Sequence, residues 1–171
     1  KNIVLRGGEK VILWVHSISG HGILESKFLI GSEYYLEEYR SEYSAKSEGT
    51  RLSPEEHFQI YRDFNEKQFS QFACQLTRDT RYLEIGCSFG GVLKKVADFG
   101  VNVCHGVEPN EEDVQFIQKK CPESKIFNSA FEDLELKQEF YDVVTSFQVL
   151  EHMVSPSSVL KKASGLMSKN G

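Results

Sequence analysis

From Tyr82 onward the chain is written in two alternating patterns. Short apolar, β-branched runs of four to six residues fall at 82–86, 102–107, 125–128 and 141–146. Between and after them, over 90–99, 111–120 and 156–167, apolar positions recur at intervals of three and four. The first pattern predicts buried strands and the second predicts helices with one apolar face. Strands alternating with helices predict an α/β fold, a mainly parallel Rossmann-like sheet with helices on both faces and right-handed crossovers.

Upstream the pattern changes. Asn2–Leu5 and Lys10–Val15 read as strands joined by a hairpin turn at Gly7-Gly8. Ser17–Gly22 reads as a second turn and Ile23–Ile30 as a third short strand, so a small antiparallel subdomain or dimerisation arm is expected. Tyr34, Tyr35, Tyr39 and Tyr43 recur at helical intervals. That stripe predicts a helix packed on the main domain, with a ligand-covering lid as the alternative. Residues 44–52 read as a polar loop. Ser53-Pro54-Glu55-Glu56 carries a capping box and a proline at the first helical position, which predicts a helix from there to about Gln75. The expected organisation is an N-terminal β/helical appendage over 1–52 and the α/β domain over 53–171.

Composition narrows the class. The chain has 171 residues, 40% hydrophobic and 26% charged, with a net charge of −5 and no Lys/Arg cluster. A nucleic-acid groove as the main surface is not expected, and no apolar run reaches the roughly 20 residues of a membrane helix. Lys1 stands where a translated chain has Met, as in an excised or processed piece. Cys74, Cys87, Cys104 and Cys121 are widely spaced. They read as free thiols of a cytoplasmic protein rather than a zinc set. His16 and His21 have no acidic partner at ligand spacing and read as structural.

The chemistry concentrates at the carboxyl ends of the predicted strands, where open α/β sheets bind ligands. Strand 82–86 runs into Gly86-Cys87-Ser88-Phe89-Gly90-Gly91 and then a helix. A glycine turn there brings the backbone close to a ligand and presents it with helix N–H groups. Glu108, which ends the second strand, follows Gly86 by 22 residues. That is near the spacing of a ribose-binding acid. Asn110 could cap the next helix equally well. Ala130 and Phe131 follow the third strand. Ser88 occupies the position where the dinucleotide fingerprint requires its second glycine, which disfavours a pyrophosphate cofactor.

These segments resemble the class I S-adenosylmethionine-dependent methyltransferases of the small-molecule type. Glu84–Gly90 matches the family's first motif, Glu108 its second-strand acid, and Ala130–Leu134 its third-motif region. Tyr141–Val144 with Val149–His152 matches its fourth strand and following turn, and Leu166–Gly171 the turn before its fifth. The resemblance covers about residues 80–171. It implies S-adenosylmethionine as cofactor, with Gly86 and Gly90, and Cys87 in the same turn, lining the methionine and ribose. Glu84 would reach the amino group, Glu108 the ribose hydroxyls, Ala130 and Phe131 the adenine, and Phe147 and Gln148 the sulfonium and acceptor.

Two departures accompany it. Ser88 replaces the middle glycine of the motif, and the chain stops at Gly171, with four of the family's seven strands accounted for. The expected reaction is methyl transfer to a small molecule such as a sugar or other metabolite, with His152 as the candidate base. The alternatives are a non-catalytic assembly module and an NAD-dependent oxidoreductase, which the loop spacing opposes. No metal is expected, because Gln148 stands where some relatives have a third ligand beside Glu151-His152. The uncovered edge of the fourth strand would suit pairing with a second copy.

Overall fold

The computed structural model describes residues 1–4, 10–20, 22–24, 52–169 and 171. The chain separates into two compact units, Lys1–Gly31 and Ser32–Gly171. In the first, β1 (Asn2–Val4), β2 (Lys10–Val15) and β3 (Gly22–Leu24) form an antiparallel sheet in that order. The register pairs Ile3 with Val11 and Trp14 with Ile23. The turn expected after β2 is present at 17–19, where Ser19 N–H donates to His16 Nδ1 at 3.2 Å. The Gly7-Gly8 turn, the rest of the expected third strand and the tyrosine-rich helix lie outside the described residues.

The described part of the second unit starts with α1 (Pro54–Ile60) and α2 (Arg62–Ser70), followed by a single 3₁₀ turn at Ala73–Gln75. Ser53 and Glu56 form the expected capping box at the start of α1. The one long helix expected over 53–75 is therefore divided at Tyr61, whose ψ is 4°. The break is small, since Tyr61 N–H still reaches the His57 carbonyl and Asn65 N–H reaches that of Tyr61. Phe58, Tyr61 and Phe64 are three residues apart and would drift around a straight helix of 3.6 residues per turn. The division lets Phe58 meet Phe116 edge-on while Phe69 packs on Phe72.

The rest alternates as the hydrophobic pattern predicts: β4 (Arg81–Ile85), α3 (Gly91–Phe99), β5 (Val103–Val107), α4 (Glu111–Lys120), β6 (Lys125–Phe127), β7 (Val143–Ser146) and α5 (Pro156–Leu166). The sheet is parallel in the order β6-β5-β4-β7. The order reverses direction at β4, so the carboxyl end of β4 is the topological switch point.

Side-chain alternation on β4 divides the core. Tyr82 joins Leu93, Val96, Cys104 and Ile117 on the α3 side, whereas Leu83 and Ile85 join Phe131, Val159 and Leu166 on the α5 side. Each face buries apolar side chains against helices, which fixes the register, because a slip of one residue would turn Glu84 onto the wrong face.

The strand expected over 141–146 begins its ladder with β4 two residues later. Asp142 N–H reaches the Arg81 carbonyl, but Tyr141 turns the other way. Tyr141 N–H donates to the Leu166 carbonyl at 2.9 Å and its carbonyl accepts from Ser168 N–H at 2.6 Å. The edge of the fourth parallel strand is thus covered at its start by the segment that follows α5.

Candidate active site

The β4–α3 turn is built on two left-handed glycines. Gly86 has φ +70° and Gly90 φ +74°, a region open to glycine and costly for most residues. A Cβ on Gly86 would come within 2.4 Å of Val149 Cγ2, so the turn also packs against the segment after β7. Ser88 lies between them at φ +47°. It therefore adopts the conformation that a glycine at the middle motif position would take. Its backbone N–H donates to Glu108 Oε2 at 2.8 Å.

Glu108 is held from two sides. Oε2 takes the Ser88 amide and Oε1 takes the Asn110 amide at 3.0 Å. Capping of α4 falls to Asn110, whose side chain accepts from Asp113 N–H at 3.1 Å. Of the two roles open to Glu108 in the sequence, helix capping is thus filled by its neighbour. Asn128, after β6, donates to the Glu108 and Pro109 carbonyls and fastens the β5 end from the other side.

Glu84 is 3% exposed and lies on the α3 face of β4. A backbone hydrogen bond from Leu93 supports its carboxyl, yet Oε2 has no partner among the described residues. Burial pushes its pKa up to about 8, opposed by the Leu93 bond and assisted by the nearby Glu108 charge. Cys87, also buried, is pushed well up by desolvation, which keeps the thiol protonated and disfavours nucleophilic use. Its Sγ packs where a Cβ on Gly106 would stand, 2.7 Å away.

Glu84, Gly86, Cys87, Ser88, Glu108 and Asn110 line one cavity of about 540 Å³, within the range of small-molecule sites. Of the residues singled out in the sequence, it brings together Glu84, Gly86, Cys87 and Glu108 on one side. Ala130, Phe131, Phe147, Gln148 and His152 complete the wall. Gly90 is not in that wall. It caps α3 instead, and a Cβ there would meet Ile117 at 2.9 Å. Phe131 is both core and wall, being 2% exposed. His152 ends a 3₁₀ turn at Leu150–His152, and Gln148, just before it, has φ +54°.

The remaining wall was not read from the sequence. Helices α1 and α2 supply His57, Tyr61, Phe64, Asn65 and Gln68. His57 stacks on Phe89 of the glycine turn with centroids 4.9 Å apart. Asn65 occupies the space a side chain on Gly91 would need, 1.8 Å from the position of its Cβ. The signal was present in the second glycine of Gly90-Gly91, which the cofactor motif does not require and which helix docking does.

The chemistry of the donor set fits S-adenosylmethionine. A buried carboxylate oxygen without a partner among the described residues suits an ammonium group, an anchored carboxylate at the end of the second strand suits ribose hydroxyls, and Ala130 and Phe131 stand in the same wall. Among the described residues no cluster of three or more metal-ligating side chains occurs.

Comparison with known proteins agrees with this geometry. A methyltransferase domain family model matches residues 37–171. A ubiquinone biosynthesis O-methyltransferase from Shewanella sp. (strain ANA-3) is 28% identical over 96 residues, covering 53% of this chain and 40% of that protein. The chain therefore spans less than half the length of that curated relative. A methyltransferase from Thermotoga maritima superposes with a TM-score of 0.54 at 23% identity, covering 66% of this chain and 50% of its own. A TehB-like methyltransferase from Corynebacterium glutamicum gives 0.58 at 14% identity, with 69% and 68% covered. At such identities the two structures show the fold. With the family match over most of the chain, the chain belongs to the class I S-adenosylmethionine-dependent methyltransferases.

Proposed function

We propose that this chain binds S-adenosylmethionine in the cavity at the carboxyl end of β4 and forms part of an enzyme that methylates a small molecule. The observation that carries the reading is the buried Oε2 of Glu84, which has no partner among the described residues, in the same cavity wall as the anchored Glu108. Glu84 and Glu108 hold the amino and ribose groups, Ala130 and Phe131 flank the adenine, and Gly86 keeps the turn flat beneath the ligand. Phe147 and Gln148 stand toward the reacting end. When bound, the cofactor supplies a methyl group already activated by a positive sulfur.

The protein's part is alignment and exclusion of water, which lowers such barriers by roughly 7–11 kcal/mol in favourable cases. For a hydroxyl acceptor, an imidazole nitrogen of His152 would take the acceptor proton, and Phe147 and Gln148 would hold the acceptor at the reacting end. The similarity to an O-methyltransferase of ubiquinone biosynthesis supports a small hydroxyl-bearing acceptor. We assign this role to residues 53–171 and treat 1–52 as an appendage.

Isothermal calorimetry with S-adenosylmethionine, S-adenosylhomocysteine and NAD tests the reading. Saturable binding of the first two and none of NAD is expected. Binding of NAD alone, or of none of the three, would overturn it.

A further inference from the structure

Beyond the glycine turn the cavity runs between α1–α2 and the segment 147–154, and this half has a chemical character of its own. Its sides are Phe58, Tyr61 and Phe64 on one hand and Phe147, Met153 and Val154 on the other. Tyr61, Phe64 and Val154 remain 45%, 39% and 51% exposed. They form an apolar rim that a ligand, rather than the described core, would cover. The rings here already pack on one another and present an aromatic surface. Tyr61 stands edge-on to Phe64 at 6.4 Å and 73°, and His57 lies flat on Phe89. Aromatic rings gain from edge-to-face and offset contacts of this kind beyond the area they bury.

Charge selects further. Among the described lining residues the acidic side chains are Glu84, Glu108, Glu132 and Glu151, the imidazoles are His57 and His152, and none is Lys or Arg. Glu84 and Glu108 belong to the cofactor half. Glu132 and Glu151 are exposed near its mouth. A carboxylate or phosphate on the acceptor would meet the like charges of Glu132 and Glu151 with no described Lys or Arg to pair with, which is how binding sites reject a wrong ligand.

We propose that the methyl acceptor is an aromatic compound without negative charge, held between the α1–α2 rings and the 147–154 segment. This rests on the methyl-transfer reading above and narrows it, excluding acidic and phosphorylated acceptors and favouring a ring over a sugar.

A matched pair of phenols tests it on the whole chain. 4-Methylphenol and 4-hydroxybenzoate differ by a methyl in place of a carboxylate. Their binding is measured by ligand-observed NMR titration, with and without S-adenosylhomocysteine. The expected result is at least tenfold tighter binding of 4-methylphenol. Phe64→Ala should weaken it about tenfold while leaving S-adenosylhomocysteine affinity within twofold. Phe64→Lys adds a cation to the described wall and should move the preference at least tenfold toward 4-hydroxybenzoate. Phe64 is partly exposed, so neither variant threatens the core. Equal or tighter binding of 4-hydroxybenzoate by the unaltered chain, or no binding of 4-methylphenol, would overturn the proposal. Failure of S-adenosylhomocysteine to bind while the phenol preference persists would count against the cofactor reading alone.

Discussion

Asp142 and Glu84 sit at opposite ends of the β4–β7 pair, and the protein surrounds them differently. At the amino end Asp142 takes the Arg81 amide and its Nε, each at 2.9 Å, Nη2 at 2.6 Å, and the Ser168 hydroxyl at 2.8 Å. The Arg81 side-chain bonds hold its pKa well below the usual carboxylate range, with smaller help from the Arg81 backbone and Ser168. Arg81 in turn lies over the Phe140 ring at 5.1 Å. At the carboxyl end Glu84 has an oxygen with no described partner and a pKa pushed up to about 8. One carboxylate is fully used in tying strands together. The other is left short of partners inside a cavity. A satisfied polar network reads as architecture, and an unsatisfied buried one as a place kept for a ligand.

The largest effect that would sharpen this contrast comes from Glu84→Gln. In the unfolded chain this group ionises near pH 4.3, whereas in the folded chain it stays protonated to about 8. The unfolded state therefore binds fewer protons across that interval. Stability falls as pH rises from about 4 to about 8, by up to roughly 5 kcal/mol. The neutral amide removes that slope. Urea unfolding should find Glu84→Gln more stable than the unaltered chain at pH 8, by about 1–3 kcal/mol because the amide is itself incompletely paired. S-adenosylhomocysteine affinity should fall about 100-fold in the same variant, as for loss of a charged hydrogen-bond partner of about 3 kcal/mol. A variant that loses both stability and affinity would show Glu84 to be structural.

Asp142→Ala should act in the reverse sense, with lower stability and little change in cofactor affinity. The pair is about a third exposed, so solvent screening limits the loss to about 1–2 kcal/mol. Because its folded pKa is depressed, this contribution is present above about pH 4 and is lost as pH falls further. Urea midpoints of the two chains should therefore differ at pH 7 and draw together progressively as pH falls below about 4. A constant difference across that range would remove the ion pair as the cause.

The smallest effect belongs to Ser88. Its contact with Glu108 is made by the backbone, so Ser88→Gly should leave cofactor affinity within twofold and stability within about 0.5–1 kcal/mol, strain relief offsetting glycine's extra unfolded-state entropy. Ser88→Val puts a β-branched residue at φ +47° and should cost about 1–3 kcal/mol. Thermal unfolding distinguishes them, and equal melting temperatures would mean that the left-handed turn is not retained.

The parallel sheet was legible because its strands and helices differ in period, and α4 matches the expected 111–120 at both ends. That Glu108 stands beside the glycine turn was legible from their spacing along the chain. Other features depend on contacts between distant segments and leave no local period. Asn65 against Gly91 is one. The division of the first helix at Tyr61 is another, since its capping box marks where a helix starts but nothing nearby marks a stop. The missing partner of Glu84 could not be read at all. The sequence shows an acid in an apolar run, but only packing shows which of its oxygens goes unanswered.

The measurement closest to the central claim is the proton released when S-adenosylhomocysteine binds at pH 7, read by calorimetry in two buffers of different ionisation heat. If Glu84 surrenders its proton to pair with the ligand's ammonium, about 0.9 proton should leave per molecule bound, and none in Glu84→Gln. Binding without proton release, or with the same release in the variant, would contradict it.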